Sequence, residues 1–318
     1  MNKTLTLVAM ALALSTNAFA WPDKTITLVV PFPAGGATDA LARTLTPKLQ
    51  EKLKQNVIVD NKAGATGTIG AGFVKRAPAD GYTLLVTSLG PLVIAPYLLA
   101  KVPYEASKDF DYLTVAVQAP NVLVVPASSP YKTMAELIAA EKANPGKLTF
   151  ASAGTGTSDH LSAELFWLQS GTSGLHVPYK GAAPAITDLL GGQVDAAFQN
   201  INNVLPHITA GKLRVLAIAA PKRSPLLPNV PTLTESGVKD ADATSWQGVV
   251  APKGLPPAVK AQIHAALMDA LADPAVKQKF AEVGFEMVAN TPEQFAAYQA
   301  SEAARWKKLI ETRKIAVD

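Results

Sequence analysis

Short apolar runs rich in β-branched residues alternate along the chain with longer segments in which leucine recurs at helical spacing. Runs of the first kind predict strands at Thr25–Val30, Val57–Asp60, Thr83–Thr87, Leu113–Val117, Val122–Pro126, Leu148–Ala151, Val194–Phe198, Leu213–Ala219 and Trp246–Ala251. Segments of the second kind lie between most of these strands and predict helices. The alternation predicts an α/β fold with mixed, largely parallel buried strands.

Three of the predicted helices have a clear apolar stripe. The stripes are Leu41, Leu45, Leu49 and Leu53, then Leu161, Leu165 and Leu168, and then Val259, Ile263, Leu267 and Leu271. Pro47 is expected to kink or shorten the first of these helices, and Gly171 to end the second. The run Thr291-Pro292-Glu293-Gln294 predicts the N-cap of a last long helix that ends near Arg313.

The first twenty residues predict a secretory signal. Lys3 supplies its charge, Leu5–Leu14 its apolar core, and Ala18-Phe19-Ala20 the small residues of a cleavage site. The apolar run is too short to span a bilayer. We therefore expect cleavage after Ala20 and a soluble protein exported to the periplasm.

The chain has no cysteine, which excludes disulfides, a lipoprotein anchor and metal sites that use thiolates. Its formal charge is +4, and its lysines and arginines are scattered without a basic stripe. Nucleic-acid binding is therefore not expected. The four histidines lack metal-ligand spacing, and no cofactor is predicted.

A glycine-rich loop follows the first predicted strand and precedes a helix that is expected to begin near Thr38, with Thr38 as its cap. Gly35 and Gly36 would let backbone N–H groups approach an anion, which the helix N-terminus also attracts. The alternative is an ordinary turn between a strand and a helix. The predicted ligand-binding residues here are Phe32, Pro33, Ala34, Gly35, Gly36, Thr38 and Asp39.

A second loop of small and hydroxylated residues precedes the predicted helix after Ser158. Gly154-x-Gly156 lacks the third glycine of a dinucleotide fingerprint, and no Gly-Lys-Ser/Thr follows it, so nucleotide binding is disfavoured. The two loops are analogous, which predicts one anion-binding loop per domain across a shared cleft. The predicted ligand-binding residues of this loop are Ser152, Ala153, Gly154, Thr155, Gly156, Thr157, Ser158 and His160.

Other polar positions could complete the site. Tyr179 followed by Lys180 could give a hydroxyl and a cation to a carboxylate, although a turn with a packed tyrosine and a solvated lysine is the better explanation of the motif taken by itself. Gln199 and Asn200 end a predicted strand, where ligands of α/β domains usually bind. Tyr179, Gln199, Asn200 and Ser88 are therefore predicted to bind the ligand.

A hydrolase is the rival class. Ser158, Asp159 and His160 are adjacent in sequence, an arrangement that does not allow three side chains to hydrogen bond in series. The chain has no Gly-x-Ser-x-Gly elbow. A distant aspartate and serine could still meet His160 or His176 in the fold, but we predict that the protein is not an enzyme.

The whole mature chain resembles the Bug-type solute receptors of tripartite tricarboxylate transporter systems. The motifs that carry the resemblance are Val30–Gly36 with Asp39, Asp60–Gly64, Asp80–Leu85, Ser152–Thr157, His160-Leu161, His176–Gly181, Gly211–Arg214, Pro228–Thr232 and Trp246-x-Gly248. The resemblance implies a type II-like periplasmic binding protein, a two-domain flytrap with a hinge of crossing strands. We expect residues 21–122 and 246–318 to form the first domain and residues 123–245 the second.

The resemblance also implies a ligand and partners. The ligand would be a small organic acid, either a di- or tricarboxylate or an aromatic carboxylate, held by the loops at 32–39 and 152–158. The position of Gln199 is often acidic in the family, so the amide here predicts a carboxylate that needs no amino group. The partners would be a large and a small permease subunit in the membrane, and the receptor is expected to be a monomer. A sensor that reports the ligand to a membrane kinase remains the alternative role.

Overall fold

The computed structural model describes residues 21–316, so the predicted signal sequence lies outside the described residues. The strands are β1 Ile26–Val30, β2 Val57–Asn61, β3 Thr83–Ser88, β4 Phe110–Pro126, β5 Thr149–Ser152, β6 Leu175–Pro178, β7 Ala196–Asn200, β8 Leu213–Ala219, β9 Thr244–Pro252 and β10 Glu286–Met287. The helices are α1 Ala37–Leu53, α2 Thr68–Lys75, α3 Ala95–Leu98, α4 Ala106–Asp109, α5 Met134–Ala143, α6 Ser158–Ser170, α7 Ala182–Leu190, α8 Ile201–Thr209, α9 Pro257–Ala272, α10 Pro274–Glu282 and α11 Pro292–Arg313.

The strands form one mixed sheet in the order β2-β1-β3-β9-β4-β7-β5-β6, with β8 and β10 also pairing with β4. β1 pairs in parallel with β2 and β3, and β5 pairs in parallel with β6 and β7. All antiparallel pairs involve β4 or β9. The predicted α/β class with a mixed sheet is confirmed.

Strand β4 joins two halves of the sheet. Its residues 110–120 pair with β9, and residues 121–126 pair with β7 and β8. The sequence predicted two strands here, at Leu113–Val117 and Val122–Pro126, and this was wrong because the strand is continuous. Pro120 is tolerated since it lies where β4 changes partners, opposite Thr244, the first residue of β9. The division into two domains stays a prediction.

Two short strands were not predicted. β6 was interpreted partly as a loop, and it has four residues, mixed exposure and a proline at its end. β10 has only two residues. Neither has the run of alternating or buried apolar residues that indicates a strand.

Helix α1 continues through Pro47, so the predicted shortening was wrong. Pro47 lies on the exposed side, where water can satisfy the carbonyl that its missing N–H leaves free. Leu168 was also placed wrongly on a buried face, since it is 39% exposed. Gly171 at φ 67° ends α6, and Thr291 and Gln294 form the predicted capping box of α11.

Apolar side chains cover both faces of the sheet. Strands β1, β5, β6 and β7 each lead directly into a helix, namely α1, α6, α7 and α8. The sheet therefore brings the N-termini of these helices to the carboxyl ends of its strands, where α/β folds bind ligands. Among residues 21–316, no helix combines the length and the apolar composition that crossing a bilayer requires.

Candidate functional site

A cleft of about 1270 Å³ opens at the carboxyl ends of the strands and is lined from both halves of the sheet. The first turns of four helices reach it, through Ala37 of α1, Ser158 of α6, Ala182 of α7 and Asn202 of α8. Each helix N-terminus carries a partial positive charge and backbone N–H groups without intrahelical acceptors. The cleft is therefore suited to an anion.

The loop after β1 is held by the carboxylate of Asp39, which is 3% exposed. Its Oδ2 accepts hydrogen bonds from the Gly35 N–H at 2.9 Å and from Arg43 Nε at 2.9 Å, and its Oδ1 accepts from Asn61 Nδ2 at 3.0 Å. Burial raises the pKa of Asp39, but the hydrogen bonds from Arg43, Gly35 and Asn61 together bring the pKa below its ordinary value. Asp39 does not line the cleft, and it orders the loop from behind.

The amide of Gly35 is thus occupied by Asp39, whereas those of Gly36, Ala37, Thr38 and Asp39 have no acceptor within residues 21–316. Gly36 is the N-cap of α1, and no side chain caps this helix. The predicted capping by Thr38 was therefore wrong, because Thr38 is already the second helical residue. These free amides belong to the first turn of α1, which faces the cleft.

The loop after β5 is held in the same way. The N–H of Ala153 donates to Asp159 Oδ2 at 3.1 Å, and the N–H of Gly156 donates to His160 Nδ1 at 3.1 Å. Burial raises the pKa of Asp159 to about 6. The amides of Thr155 and Ser158 have no acceptor in the described part of the chain and remain available to a ligand. His160 itself is 3% exposed and does not line the cleft.

Two stacked histidines support this loop from below. The rings of His160 and His176 lie 3.7 Å apart, and His176 Nε2 is 2.6 Å from Ser152 Oγ, which accepts the N–H of Gly154. On the other side, His160 Nε2 is 3.5 Å from Glu164, whose carboxylate accepts a hydrogen bond from Arg313 of α11. Burial, with a smaller effect of the His160 charge, lowers the pKa of His176 to about 4.

The shifted pKa of His176 predicts an acid-sensitive fold. Below its ordinary pKa of 6.5, the unfolded chain binds a proton that the folded chain does not, so His176 lowers the free energy of unfolding as pH falls from 6.5 to 4. His176→Phe keeps an aromatic ring at this position but removes the titratable imidazole. We expect the loss of stability between pH 7 and pH 4.5 to be about 2 kcal/mol smaller in this variant than in the wild type.

Urea unfolding at the two pH values measures this loss, and comparing each protein with itself cancels any cost of the substitution that does not depend on pH. Equal losses in the two proteins would contradict the prediction.

The pair Ser152–His176 bears on the hydrolase alternative. Ser152 is 1% exposed, and neither residue lines the cleft. Within residues 21–316, no carboxylate hydrogen bonds to His176 to orient it. The serine therefore lacks both access to a substrate and the third member that a catalytic triad requires.

The end of β7 presents Asn200 to the cleft but not Gln199. Asn200 Nδ2 donates to Asn121 Oδ1 and, at 3.3 Å, to Ser158 Oγ, which ties the strand to the start of α6. Gln199 is fully buried and does not line the cleft. The Gln199 amide therefore does not contact a ligand in the cleft. It cannot decide whether the protein binds an amino acid or another acid.

The Tyr179-Lys180 pair is arranged differently from the prediction. The Tyr179 hydroxyl donates to Asp188 of α7 at 2.7 Å, and Tyr179 does not line the cleft. Lys180, which was not among the predicted binding residues, does line it. Within the described residues, Lys180 is the only lysine or arginine of the cleft wall, and its ammonium makes no ion pair.

The cleft contains further segments that the sequence analysis missed. Residues 63–67 form one wall, and in this turn Ala65 and Thr66 have positive φ values of 46° and 53°. Positive φ values are rare for residues other than glycine, above all for a β-branched residue such as threonine. The first turns of α7 and α8 also line the cleft, and they were not predicted to do so. Gly64 and Gly67 on either side of this turn, and Gly181 before α7, were the only local signals.

The predicted site residues thus fall into two groups. Those that line the cleft are Phe32, Pro33, Ala34, Gly35, Gly36, Thr38, Ser88, Ala153, Gly154, Thr155, Gly156, Thr157, Ser158 and Asn200. Those outside its lining are Asp39, Ser152, His160, Tyr179 and Gln199. Asp39, Ser152 and His160 hydrogen bond to the loops that line it.

Comparisons with known proteins show which family this chain resembles. The sequence profile of the family described as "Tripartite tricarboxylate transporter family receptor" matches residues 41–315. Protein BugT of Bordetella pertussis is 38% identical over 318 residues, which covers 98% of each chain.

Solved structures show the same fold. An R. palustris protein solved with adipate superposes with a TM-score of 0.88 at 35% identity, covering 93% of this chain and 99% of its own. MatC from Rhodopseudomonas palustris, solved with bound malate, superposes with a TM-score of 0.84 at 32% identity, covering 91% of this chain and all of its own.

Proposed function

The chain belongs to the family of tripartite tricarboxylate transporter receptors, and on that premise we propose that it captures a small organic carboxylate in the cleft and delivers it to a membrane permease. The family and the structural neighbours are periplasmic solute receptors and not enzymes. That family assignment confirms the predicted receptor class.

One observation carries the proposed ligand class. Backbone N–H groups at Gly36–Asp39 and at Thr155 and Ser158 have no acceptor in residues 21–316, and they belong to two loops that line one cleft. Amides at helix N-termini stabilise a negative charge without a side-chain cation. A carboxylate between the loops would satisfy both sets at once, directly or through water.

The cleft offers no carboxylate that is free to pair with an ammonium group. Among the described residues, Asp159 is the only acidic residue of its wall, and its two oxygens accept hydrogen bonds from Ala153 N–H and Ser158 Oγ. We therefore propose a carboxylate ligand that needs no amino group. This conclusion now rests on Asp159 and not on Gln199.

Lys180 favours a ligand with a second negative group. Its exposed side chain lines the cleft near the start of α7, next to the loop after β5, since the N–H groups of Tyr179 and Gly181 donate to Ser152 O and Ala153 O. A dicarboxylate could place one carboxylate on the amides and the other near this ammonium. The adipate and malate bound in the two solved relatives are both dicarboxylates.

Binding would couple the two halves of the sheet. We propose that a ligand that contacts loops from both halves shifts the population toward a closed form, with residues 120–121 of β4 and the start of β9 as the hinge. The residues 21–122 and 246–318 would then form one lobe and residues 123–245 the other. A permease with a large and a small subunit would recognise the closed form.

A thermal-shift screen of the mature chain tests the ligand class. Di- and tricarboxylates, aromatic carboxylates and amino acids would be compared at equal concentration. A ligand at a hundredfold excess over its dissociation constant adds about 2.7 kcal/mol to the free energy of unfolding. Tight binding of an amino acid, with no response to any of the other acids, would contradict the proposal.

Lys180→Met adds a second arm to this screen. We expect the variant to lose about fivefold in affinity for a dicarboxylate and little for a monocarboxylate of the same length, since an exposed ion pair contributes at most about 1 kcal/mol. Lys222→Met is the matched control, because Lys222 is exposed and lies outside the cleft. Equal losses for both kinds of acid would show that Lys180 does not contact the second carboxylate.

A further inference from the structure

The floor of the cleft contains a buried side-chain amide with an unsatisfied oxygen. Gln247 of β9 is 1% exposed and lines the cleft. Its Nε2 donates to Ser245 Oγ at 3.0 Å, but its Oε1 has no donor within residues 21–316. Buried side-chain oxygens in proteins are nearly always hydrogen-bonded, so a group that enters the cleft is the natural donor for Oε1.

A hydroxyl lies beside this amide. Ser88 of β3 is directly opposite Gln247 in the antiparallel pair of β3 and β9, so the two side chains share one face of the sheet. Ser88 is 8% exposed, also lines the cleft, and its Oγ makes no hydrogen bond with another described residue. Gln247 and Ser88 therefore offer an acceptor and a donor side by side.

This pair differs chemically from the rest of the cleft wall. Carboxylates only accept hydrogen bonds, and the free amides of the two loops are suited to them. An ammonium group only donates, and although it could donate to both atoms of this pair, the described cleft wall has no free carboxylate to balance its charge. A hydroxyl both donates and accepts, and so it can donate a hydrogen bond to Gln247 Oε1 while it accepts one from the hydroxyl of Ser88.

We propose that Gln247, with Ser88, is a specificity-determining residue that selects carboxylates bearing a hydroxyl group. This inference rests on the proposed function, because it assumes that the carboxylate of the same ligand lies on the amides of the two loops. The ligand class is then a hydroxycarboxylate.

Pairs of acids that differ in one hydroxyl test the proposal by calorimetry on the mature chain. Suitable pairs are succinate and malate, glutarate and 2-hydroxyglutarate, propionate and lactate, and phenylacetate and mandelate. We expect the hydroxylated member of at least one pair to bind about tenfold more tightly, the contribution of one good hydrogen bond. In Gln247→Met this ratio should fall to about one, while the plain acid keeps its affinity.

The chain offers a matched control in Gln199, which is also fully buried and has no hydrogen-bond partner for its amide but lies outside the cleft lining. Gln199→Met should keep the wild-type ratio. Thermal unfolding without ligand shows whether each variant is folded, and Gln247→Glu, which keeps an acceptor of the same length, should keep more of the ratio than methionine does.

Three results are distinguishable. A wild type that prefers the plain acid in every pair would overturn the inference, because it would mean that the amide presents its NH₂ to a carboxylate. A ratio that persists in Gln247→Met would overturn it as well. Binding of no acid at all would instead overturn the proposed function, and this inference with it.

Discussion

Replacing Gly36 by valine is expected to abolish measurable ligand binding while the protein stays folded. The amide of Gly36 is the first of the free N–H groups at the start of α1, and the residue lines the cleft. A valine side chain would occupy the space in which an anion must approach these amides. We expect a loss of at least about a hundredfold in affinity, since a blocked approach removes several charge-assisted hydrogen bonds together.

The backbone at Gly36 explains why the fold should survive. Its φ of −83° and ψ of 173° are extended values that β-branched residues adopt readily. A Cβ built there meets only Pro33 O, at 3.8 Å. Calorimetry measures the apparent affinity for the ligand. The melting temperature without ligand shows whether the variant is folded.

Gly191→Val is the matched control for Gly36→Val. Gly191 also has an ordinary φ of −79°, is exposed and lies outside the cleft lining. Its variant should bind as the wild type does, and Gly36→Ala should give an intermediate loss. Unchanged binding by Gly36→Val would remove the loop after β1 from the site.

The sequence was sufficient to predict the loops after β1 and β5, for a local reason. In both places a run of buried β-branched or small residues is followed by closely spaced glycines and then by helical periodicity. These signals lie within a dozen residues of each other, so no knowledge of the tertiary structure is needed. The mixed α/β class follows from the same local alternation along the whole chain.

The side chains at strand ends could not be assigned in this way. Gln199 and Asn200 are neighbours in β7, and successive side chains of a strand point to opposite faces. Which of the two faces the cleft depends on the pairing of β7 with β4 and β5, and this register is a long-range property. Tyr179 and Lys180 follow the end of β6, and which of them lines the cleft is likewise set by the surrounding fold and not by the local sequence.

Gln247 was missed for a related reason. It lies within a long buried strand, Thr244–Pro252, where the sequence suggests only core and a crossing between domains. Its importance becomes visible when the structure shows that the cleft ends on this strand and that its amide oxygen has no donor. A buried polar atom without a partner is a tertiary observation with no local sequence signal.

Replacing Asp39 by alanine is the second large change, and it is expected to affect stability and binding together. Asp39 accepts hydrogen bonds from the Gly35 N–H, Arg43 Nε and Asn61 Nδ2 while it is almost fully buried. Alanine removes the acceptor of the Gly35 N–H and of one of the two N–H groups of Asn61 Nδ2, whose other N–H donates to Phe32 O, at a cost of about 2 kcal/mol in the free energy of unfolding. Arg43 adds little, because its side chain is 54% exposed.

Affinity should fall in the same variant, although Asp39 does not line the cleft. Without its carboxylate, Gly35 at φ 87° loses the contact that fixes the turn before the free amides of α1. Calorimetry would show weaker binding, and Asp39→Asn, which keeps one acceptor oxygen, should lose less than alanine in both measurements. Asp60→Ala is the control, since Asp60 pairs only with the partly exposed Lys62 at 3.0 Å and should cost less than about 1 kcal/mol.

The pH dependence of the free energy of unfolding, compared between the wild type and Asp39→Asn, shows whether the Asp39 carboxylate acts through its charge or through its shape. The pKa of Asp39 is below its ordinary 3.8 in the folded protein, so its ionised form stabilises the fold above that pH. This contribution is lost as pH falls through the lowered pKa of the folded state. The stability difference between wild type and Asp39→Asn should therefore be constant near neutral pH and shrink below pH 4. A difference that stays constant down to pH 3 would mean that the carboxylate acts only through its shape, and the loop would then be ordered by packing and not by charge.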